Sequence, residues 1–509
     1  MSWTTTTMTT TMMMPPPSAA AARSAPPTRP IPGSYGPPVV GPLKDRLDYF
    51  WFQGPEAFFR SRIESHKSTV FRANMPPTFP FFVGVDPRVI CLLDCASFSS
   101  LFDLSVVEKR DVLIGDYMPS LRFTGNTRVA VYQDPSEPQH ARVKNFCLDL
   151  LKRSAGTWAS EFLAGLDTML SAVEAEVSEK GSSNFILPLQ KCIFRFLCKS
   201  IVGADPSASP DVGDQGFVML DKWLALQLLP TVKLGVIPQP LEELLAHSFP
   251  LPFFLVAGDY RKLYAFVAEQ GHDVIELART EYGLTEEDAV HNILFVLGFN
   301  AFGGFSVFLP SLVAAVGAGG RAGLRDRLKE EVRGVLDGGP SKELGFAAAR
   351  EMGLVRSTVY EVLRTKPPVP LQYARAKADF SLASHEWSYP VRKGELLCGY
   401  QPLAMRDPTV FEDPDEFVAD RFKDDEGLLR YLFWSNGPET GTPSTENKQC
   451  AAKDHVVATA CLMVAHIFDR YDVFECDDSS GAIVKLVRRE KAEDEAGSRS
   501  RTTSSIING

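Results

Sequence analysis

The feature that most restricts the fold of this chain is a stretch of 29 residues, 292–320, that contains no charged side chain. Its length would allow a helix to cross a bilayer, which takes about 20 apolar residues. However, Asn300, the pair Gly303 and Gly304, and Pro310 interrupt the stretch, and each of them weakens a helix that faces lipid. A helix through the core of a large soluble domain tolerates such residues beside a ligand. We therefore predict a buried central helix and no transmembrane anchor.

Periodicity along the rest of the chain predicts a single large domain of the mainly α (α+β) class with small β-sheets. Apolar residues recur with helical spacing over 138–178, 257–282, 285–316, 323–336, 348–365 and 451–470. Thr285 and Asp288 resemble a capping box at the start of the central helix. Alternating runs predict short strands at 68–76, at 128–133 and within 377–402. Since no glycine-rich phosphate loop follows a strand, a doubly wound nucleotide-binding fold has no support in the sequence.

The charge balance separates a leader from the body of the chain. The formal net charge is −10, yet the first 44 residues carry three basic residues and no acidic one. This leader is rich in Thr, Ser, Ala and Pro and poor in Arg, which favours a plastid transit peptide over a mitochondrial one; a disordered tail is the alternative. We predict a leader at 1–34, a catalytic domain at 35–486 and a disordered tail at 487–509. The acidic body lacks the basic surface that nucleic-acid binding requires.

One of the nine cysteines differs from the others in its position. Together they form neither a dense disulfide framework nor a paired metal motif, which indicates a reducing compartment. A loop rich in Gly, Pro, Ser and Thr delivers Cys450 to the start of an apolar helix, where the helix dipole and Lys448 or Lys453 favour the thiolate. About 85 residues earlier, Glu361 and Arg364 lie three apart on one helix face, where they can pair.

This order of parts resembles the cytochrome P-450 superfamily, in which a helix with a Glu-x-x-Arg pair, an Arg-Phe element and a cysteine loop follow one another. The resemblance implies a haem-thiolate domain that binds haem b, with Cys450 as the axial ligand of the iron. It also implies that Glu361, Arg364 and Arg421 form a structural network beside the haem. Two departures are visible. The cysteine loop contains an insertion with Lys448 in place of Arg, and the central helix lacks the acid and threonine that monooxygenases use with dioxygen.

Together with these departures, four segments resemble the plant branch that metabolises fatty-acid hydroperoxides, which includes allene oxide synthase, hydroperoxide lyase and divinyl ether synthase. The segments, within about residues 29–478, are RPIPGSYGPP, FRANMPPTFPFF, GFNAFGGF and NGPETGTPSTENKQCAAKD. The resemblance implies that the substrate supplies its own O–O bond, so that dioxygen, NADPH and a reductase are not required. It assigns Asn300 to the substrate hydroperoxide, and it assigns to the haem the residues Lys109, His140, Lys144, Lys448 and Cys450. His140 and Lys144 are four residues apart and can reach carboxylates from one helix face.

The reaction outcome in this branch is associated with one residue beside the haem, which aligns with Leu113. An aromatic ring there is associated with allene oxide synthesis, and a leucine with cleavage of the carbon chain. Leu113 and the surrounding sequence therefore predict a fatty acid hydroperoxide lyase that cleaves 13-hydroperoxides of linoleic and linolenic acid by haem-thiolate homolysis of the O–O bond. The products would be short-chain aldehydes and oxo acids, and the use of 9-hydroperoxides stays open.

Three alternatives also stay open. They are an allene oxide synthase, a conventional monooxygenase and a haem protein without catalytic turnover. The expected partner is a fatty-acid hydroperoxide, and neither a nucleic acid nor a reductase is expected. The expected location is the plastid, with peripheral association to a membrane surface and without a transmembrane anchor.

Overall fold

The computed structural model describes residues 26–78, 82–338 and 343–490. Most of the predicted leader and of the predicted tail lies outside the described residues. Residues just before the predicted domain limit at 35 already pair with the body, because the Arg29 N–H donates to the Ser388 carbonyl at 3.0 Å and the Ser388 N–H donates to Pro27 at 3.0 Å. The predicted limits of the leader, the catalytic domain and the tail stay predictions.

Helices make up most of the described residues and confirm the predicted fold class. The α-helices of the first half are α1 (Val40–Leu47), α2 (Pro55–His66), α3 (Cys95–Phe98), α4 (Pro138–Lys180), α5 (Ile186–Leu197), α6 (Gly216–Leu228), α7 (Gln239–Leu245), α8 (Ala257–Gln270) and α9 (His272–Tyr282). Those of the second half are α10 (Glu286–Phe295), α11 (Gly303–Gly317), α12 (Ala322–Gly338), α13 (Phe346–Glu351), α14 (Gly353–Thr365), α15 (Gln401–Ala404), α16 (Arg421–Asp424) and α17 (Lys453–Arg470). The long helix α4 starts with a proline in its first turn and ends at Gly181 in the left-handed region.

The strands form three small sheets at the edges of the helical body. They are β1 (Val70–Asn74), β2 (Arg88–Leu92), β3 (Val107–Glu108), β4 (Leu371–Ala376), β5 (Phe380–Ala383), β6 (Ser388–Val391), β7 (Leu396–Tyr400), β8 (Tyr471–Cys476) and β9 (Ile483–Arg488). The largest sheet has the order β1-β2-β7-β4-β3, with β2 and β7 parallel and the other neighbours antiparallel. The pairs β5-β6 and β8-β9 are separate antiparallel hairpins.

The predicted strand at 128–133 is wrong, because residues Ala130–Tyr132 form a 3₁₀ turn. Val129 and Tyr132 are the buried apolar side chains of this segment, and their spacing of three matches a 3₁₀ turn. The neighbouring backbone groups bond to distant side chains instead of to a strand. The Ala130 N–H donates to the Asn292 side chain at 3.1 Å.

The uncharged stretch lies in the centre of the molecule, as predicted. Helix α10, a π-helical segment (Val296–Phe302) and α11 form one continuous run that contacts α5, α6, α8, α9, α14 and α17. The Thr285 hydroxyl caps this run by accepting from the Asp288 N–H at 3.1 Å. Among the described residues only Glu286–Gly317 is long and apolar enough to span a bilayer, and half of its most apolar window is buried inside the protein. Core packing therefore accounts for its hydropathy.

A buried ion network fixes the chain between α15 and α16. Arg364 donates to both carboxylate oxygens of Glu361, at 2.8 and 2.7 Å, and neither residue has any exposed surface. Arg421 donates from Nε to the same carboxylate at 3.2 Å, and the Val418 N–H adds a fourth donor at 2.9 Å. The remaining Arg364 donors reach backbone carbonyls, including that of Met405 at 3.0 Å. The network thus positions the segment that precedes the cysteine loop.

Replacing Glu361 with Gln would leave two buried guanidinium groups without their shared anion. We expect a loss of about 3–5 kcal/mol in the free energy of unfolding, since breaking a buried ion pair strands its partner charge. Denaturant unfolding of the purified chain measures this loss. Arg279→Met, which breaks an exposed pair with Glu276, is the matched control and should leave the midpoint unchanged. Equal effects of the two substitutions would contradict the prediction.

Candidate haem site

Cys450 lies at the end of a closed loop, three residues before α17 begins. Its N–H donates to the Ser435 carbonyl at 2.8 Å, which joins the two ends of the insertion. The other eight cysteines are buried, and Cys450 is the one that is partly exposed. Burial of the thiol raises the pKa of Cys450, while the Ala452 N–H and the positive charge of Lys144 lower it. A bound metal ion would supply the additional positive charge that a thiolate needs here.

Gln449 and Glu439 hold the insertion closed. The buried Gln449 amide donates to the Ser435 hydroxyl at 3.1 Å and to the Pro438 carbonyl at 2.6 Å. Glu439 accepts from the indole N–H of Trp434 at 2.9 Å, and the Lys453 ammonium donates to the Glu439 carbonyl at 2.8 Å. Desolvation raises the pKa of Glu439 to about 7. The buried polar side chains of the loop therefore find their hydrogen-bond partners within the loop and at the start of α17.

Four basic side chains predicted to contact haem lie in this loop or close to it. Lys109 follows β3, His140 and Lys144 lie in the first turns of α4, and Lys448 precedes Cys450. The ammonium groups of the three lysines donate hydrogen bonds to uncharged oxygens. Lys109 donates to Asn436 Oδ1 at 3.0 Å, Lys448 donates to the carbonyls of residues 130 and 133 at 2.7 and 2.8 Å, and Lys144 donates to the residue 449 carbonyl. No carboxylate forms an ion pair with any of the four within the described residues.

Burial and mutual repulsion lower the pKa values in this basic cluster, while the charge of Asp134 raises those of Lys109, His140 and Lys448. Desolvation and the positive charge of Lys448 lower the pKa of Lys109 to about 7, and desolvation and the charge of Lys144 lower the pKa of Lys448 to about 7. Burial and the two neighbouring ammonium groups lower the pKa of His140 to about 4, and its Nδ1 is buried without a hydrogen-bond partner. An anionic group placed among these side chains would remove the repulsion between them.

Asn300 lies in the π-helical segment of the central run. Its side chain is exposed although most of its neighbours in the run are buried, and the described residues offer it no hydrogen bond. Two glycines set the local packing. A Cβ on Gly298 would lie 2.8 Å from Leu220 and 3.0 Å from Trp223, and a Cβ on Gly303 would lie 2.7 Å from Leu224. Helix α6 therefore packs closely beside the turn that presents Asn300.

Leu113 lies in a tight turn after β3. It forms an isolated bridge with Gly115, whose φ is +63°, and it packs against the main core. The Gly115 position is close to Leu396 and Tyr373, which a Cβ there would meet at 3.5 Å. Hydrogen bonds among the described residues bring the predicted haem-binding lysines to the cysteine loop, and none of these bonds includes the side chain of Leu113 or Asn300.

Residues that the sequence interpretation missed also hold this site. Asn436, Gln449 and Glu439 make the contacts that close the loop, and none of them was predicted. Asn436 stands in an Asn-Gly-Pro turn with a φ of +59°, so turn chemistry could have indicated its backbone conformation. Nothing in the local sequence indicates its partner Lys109, which is 327 residues away.

Comparison with known proteins agrees with this geometry. The sequence profile of the cytochrome P450 family matches residues 323–439. The chain is 54% identical to the linolenate hydroperoxide lyase, chloroplastic, of Arabidopsis thaliana over 91% of this chain and 93% of that protein. It is also 54% identical to the fatty acid hydroperoxide lyase, chloroplastic, of Solanum lycopersicum over 90% of this chain and 96% of that protein. The allene oxide synthase, chloroplastic, of Linum usitatissimum is 44% identical over 90% of this chain and 85% of its own length.

The fold, the cysteine loop and these relatives define the class: the chain belongs to the cytochrome P450 family. Within that family it belongs to the branch that contains the hydroperoxide lyases and allene oxide synthases. The family binds haem through a cysteine thiolate. The residues present fit that group, because a haem carries two carboxylates and the basic cluster holds buried cations and an unpaired imidazole nitrogen without an anion.

Substituting Gly298 tests the close packing beside Asn300. We expect Gly298→Ala to lower the free energy of unfolding by about 1–3 kcal/mol, because the buried Trp223 ring cannot move away from the new methyl group. Gly304→Ala is the matched control, since no atom lies within 4 Å of its Cβ position. That substitution should stabilise the helix by about 0.5–1 kcal/mol. A stabilising effect of both substitutions in denaturant unfolding would disprove the predicted packing.

Proposed function

We propose that the protein is a fatty acid hydroperoxide lyase that cleaves 13-hydroperoxides of linoleic and linolenic acid into short-chain aldehydes and oxo acids. The observation that carries this proposal is the identity of 54% to two hydroperoxide lyases over nine tenths of the chain, against 44% to an allene oxide synthase over the same span. Leu113 supports it, because its aliphatic side chain has no π face that would favour oxidation of a substrate radical to the synthase product.

Five residues would hold the haem. Cys450 would ligate the iron, and Lys109, His140, Lys144 and Lys448 would bind the two propionates. When bound, the haem would supply homolytic cleavage of the substrate O–O bond. The buried pair of Glu361 and Arg364, together with Arg421, would keep the chain before the loop in place.

Asn300 would bind and orient the hydroperoxide. A side-chain amide both donates and accepts hydrogen bonds, and this one is exposed in the middle of the central run without a protein partner among the described residues. The surrounding turn, residues 296–305, contains no acid and no threonine that could deliver protons to dioxygen. This composition supports a reaction that requires neither dioxygen nor NADPH and no reductase.

The plastid is the proposed location. Two hydroperoxide lyase relatives carry the word chloroplastic in their names, which supports plastid localisation of this chain. The acid-free leader, whose first 25 residues lie outside the described residues, has the composition of a transit peptide.

An apolar surface supports peripheral association with a membrane. We define it by exposed side chains of residues 229–256 and of the adjoining α1 region, namely Val232, Leu234, Val236, Leu241, Leu244, Leu245, Phe254, Leu255, Val39, Val40 and Phe52. The two regions are joined because the Trp51 indole donates to Glu243 at 2.7 Å and Arg46 pairs with Glu243 at 2.8 Å. Eleven exposed apolar side chains in two regions that are bonded to each other differ from the single exposed apolar residues of an ordinary surface.

The charges around this apolar surface favour a lipid surface as the occupant. Glu242 is fully buried and accepts from the N–H groups of residues 234 and 235, and Glu243 is bound by Arg46 and Trp51. Lys233, whose ammonium lies 4.5 Å from the centre of the Trp51 ring, is the one cation of residues 229–256. Apolar side chains bordered by a tryptophan and a lysine are typical of proteins that insert into the headgroup region.

The proposed activity predicts turnover of a 13-hydroperoxide by the haem-loaded full chain without any reductant. We expect loss of the conjugated-diene absorbance and formation of an aldehyde and an oxo acid, identified by mass spectrometry. Separate incubation with a 9-hydroperoxide determines whether that isomer is also cleaved. Leu113→Phe should shift the products of the 13-hydroperoxide towards ketols derived from allene oxide, and Leu113→Ile, the aliphatic control, should keep the aldehyde. Ketols as the main product of the unchanged protein would overturn the lyase assignment in favour of an allene oxide synthase.

The membrane proposal predicts that acidic substitutions on the apolar surface weaken lipid binding. Val236 and Phe254 are exposed by 81% and 74%, so their replacement by Asp leaves the core intact. We expect the double variant to bind phosphatidylglycerol and phosphatidylcholine vesicles at least about tenfold more weakly in a sedimentation assay, since each side chain contributes about 1.5 kcal/mol or more when buried in lipid. Val369→Asp, which replaces an exposed apolar residue outside this surface, is the control. Equal binding by all three proteins would refute the assignment of this surface.

A further inference from the structure

Asn436 connects two of the lysines of the basic cluster. Its side-chain oxygen accepts from the Lys109 ammonium at 3.0 Å, and its side-chain nitrogen donates to the Lys448 carbonyl at 3.0 Å. The side-chain amide of Asn436 thereby accepts one hydrogen bond and donates another. Its own N–H donates to the Phe433 carbonyl at 3.1 Å, which fixes the turn that carries it.

The contacts of Asn436 and of its neighbour Ser435 clamp the segment that ends in the cysteine. The Ser435 carbonyl accepts from the Cys450 N–H at 2.8 Å, and the Asn436 side chain holds the carbonyl two residues before the cysteine. Two consecutive residues on one side of the insertion therefore bind two positions on the other side. The position of the Cys450 backbone depends on this turn.

Asn436 also sets the direction of the Lys109 side chain. Within the described residues, the Lys109 ammonium has no other hydrogen-bond partner, and the ring of Phe102 lies 5.6 Å from it. Without the amide oxygen, a buried ammonium would have no fixed orientation. The side-chain oxygen of Asn436, a residue of the cysteine loop, thus links Lys109 to the segment that carries the Cys450 thiol.

Asparagine is suited to this position by both its backbone and its side chain. The φ of +59° lies in the left-handed region, which asparagine and glycine adopt at low cost. Glycine would keep this conformation and lose both side-chain contacts. Aspartate would keep the acceptor for Lys109, but its carboxylate could not donate to the Lys448 carbonyl. Glycine therefore tests the loss of both side-chain contacts with the turn conformation kept. Aspartate tests the loss of the contact with the Lys448 carbonyl alone.

We infer that Asn436 is a positioning residue that couples Lys109 to the Cys450 segment and so determines how firmly haem is held and how fully the thiolate ligates it. The inference rests on the proposed haem site, and it assigns a role to a residue that contacts neither the thiol nor the substrate.

The test uses the purified haem-loaded full chain and its variants Asn436→Gly and Asn436→Asp. Haem retention is measured as the rate of haem transfer to a scavenging apoglobin, and thiolate ligation as the Soret position of the ferrous carbon monoxide complex. We expect Asn436→Gly to lose haem about 10–100-fold faster, because each lost hydrogen bond involves a charged or buried partner. We expect Asn436→Asp to lose haem more slowly than Asn436→Gly, with a reduced thiolate-ligated fraction.

Asn126→Gly is the matched control. Asn126 is also a non-glycine residue with a left-handed φ, of +65°, and its side chain makes no hydrogen bond to the described residues. This variant should retain haem and the thiolate band. Unfolding of the haem-free proteins shows whether the variants fold, and glycine at position 436 should not impair folding because it suits the same φ.

A double-mutant cycle with Lys109→Met distinguishes positioning from a structural role of the turn. If Asn436 acts through Lys109, the effect of Asn436→Gly on haem transfer should shrink in the Lys109→Met background. Additive effects, or haem transfer by Asn436→Gly within twofold of the unchanged protein, would overturn the inference. An unchanged protein that binds no haem at all, or shows no thiolate band, would instead refute the proposed haem site.

Discussion

The carboxylate of Glu361 is the point on which the rest of the site depends. Its two oxygens accept from Arg364, Arg421 and a backbone N–H, so a fully buried anion has a complete set of donors. The other arginine donors are used by backbone carbonyls between residues 405 and 416. Because unpaired charges in the interior are costly, this network has only one low-energy arrangement. It fixes an irregular segment without a helix or sheet, and α16 and a 3₁₀ turn (Glu426–Tyr431) then lead to the cysteine loop.

The basic cluster shows the opposite arrangement of charge. Lys109, His140, Lys144 and Lys448 are desolvated much as the arginines of the network are, yet only neutral oxygens contact them within the described residues. The pKa of each of these four side chains is lowered. Binding of an anionic group would favour the charged forms of these side chains, and the proposed haem propionates are such groups. The two sites differ because the arginines of the network pair directly with a carboxylate, whereas the described residues form no ion pair with the basic cluster.

Several elements could be predicted from the sequence because their causes are local. The uncharged stretch with its Thr285 cap, the long helix from Pro138 and the exceptional position of Cys450 all depend on residues close to one another in the chain. The error at 128–133 has a physical cause as well, since Asn292 and Lys448 bind that backbone and favour a 3₁₀ turn over a strand. Asn436 was missed because its partner Lys109 is remote in sequence. No local pattern carries information about such a pair.

Periodicity, charge and motif spacing act over short distances along the chain, and they were enough to predict the fold class, the buried central helix, the family resemblance and the candidate residues. Which of those residues lie together depends on the tertiary structure. It brings the four basic side chains to the cysteine loop, and within the described residues no hydrogen bond links the side chain of Leu113 or Asn300 to them. It also exposes the apolar surface and places Asn436 between two lysines. These outcomes depend on contacts between segments hundreds of residues apart, whose geometry is set by packing and by the desolvation of charge rather than by local sequence.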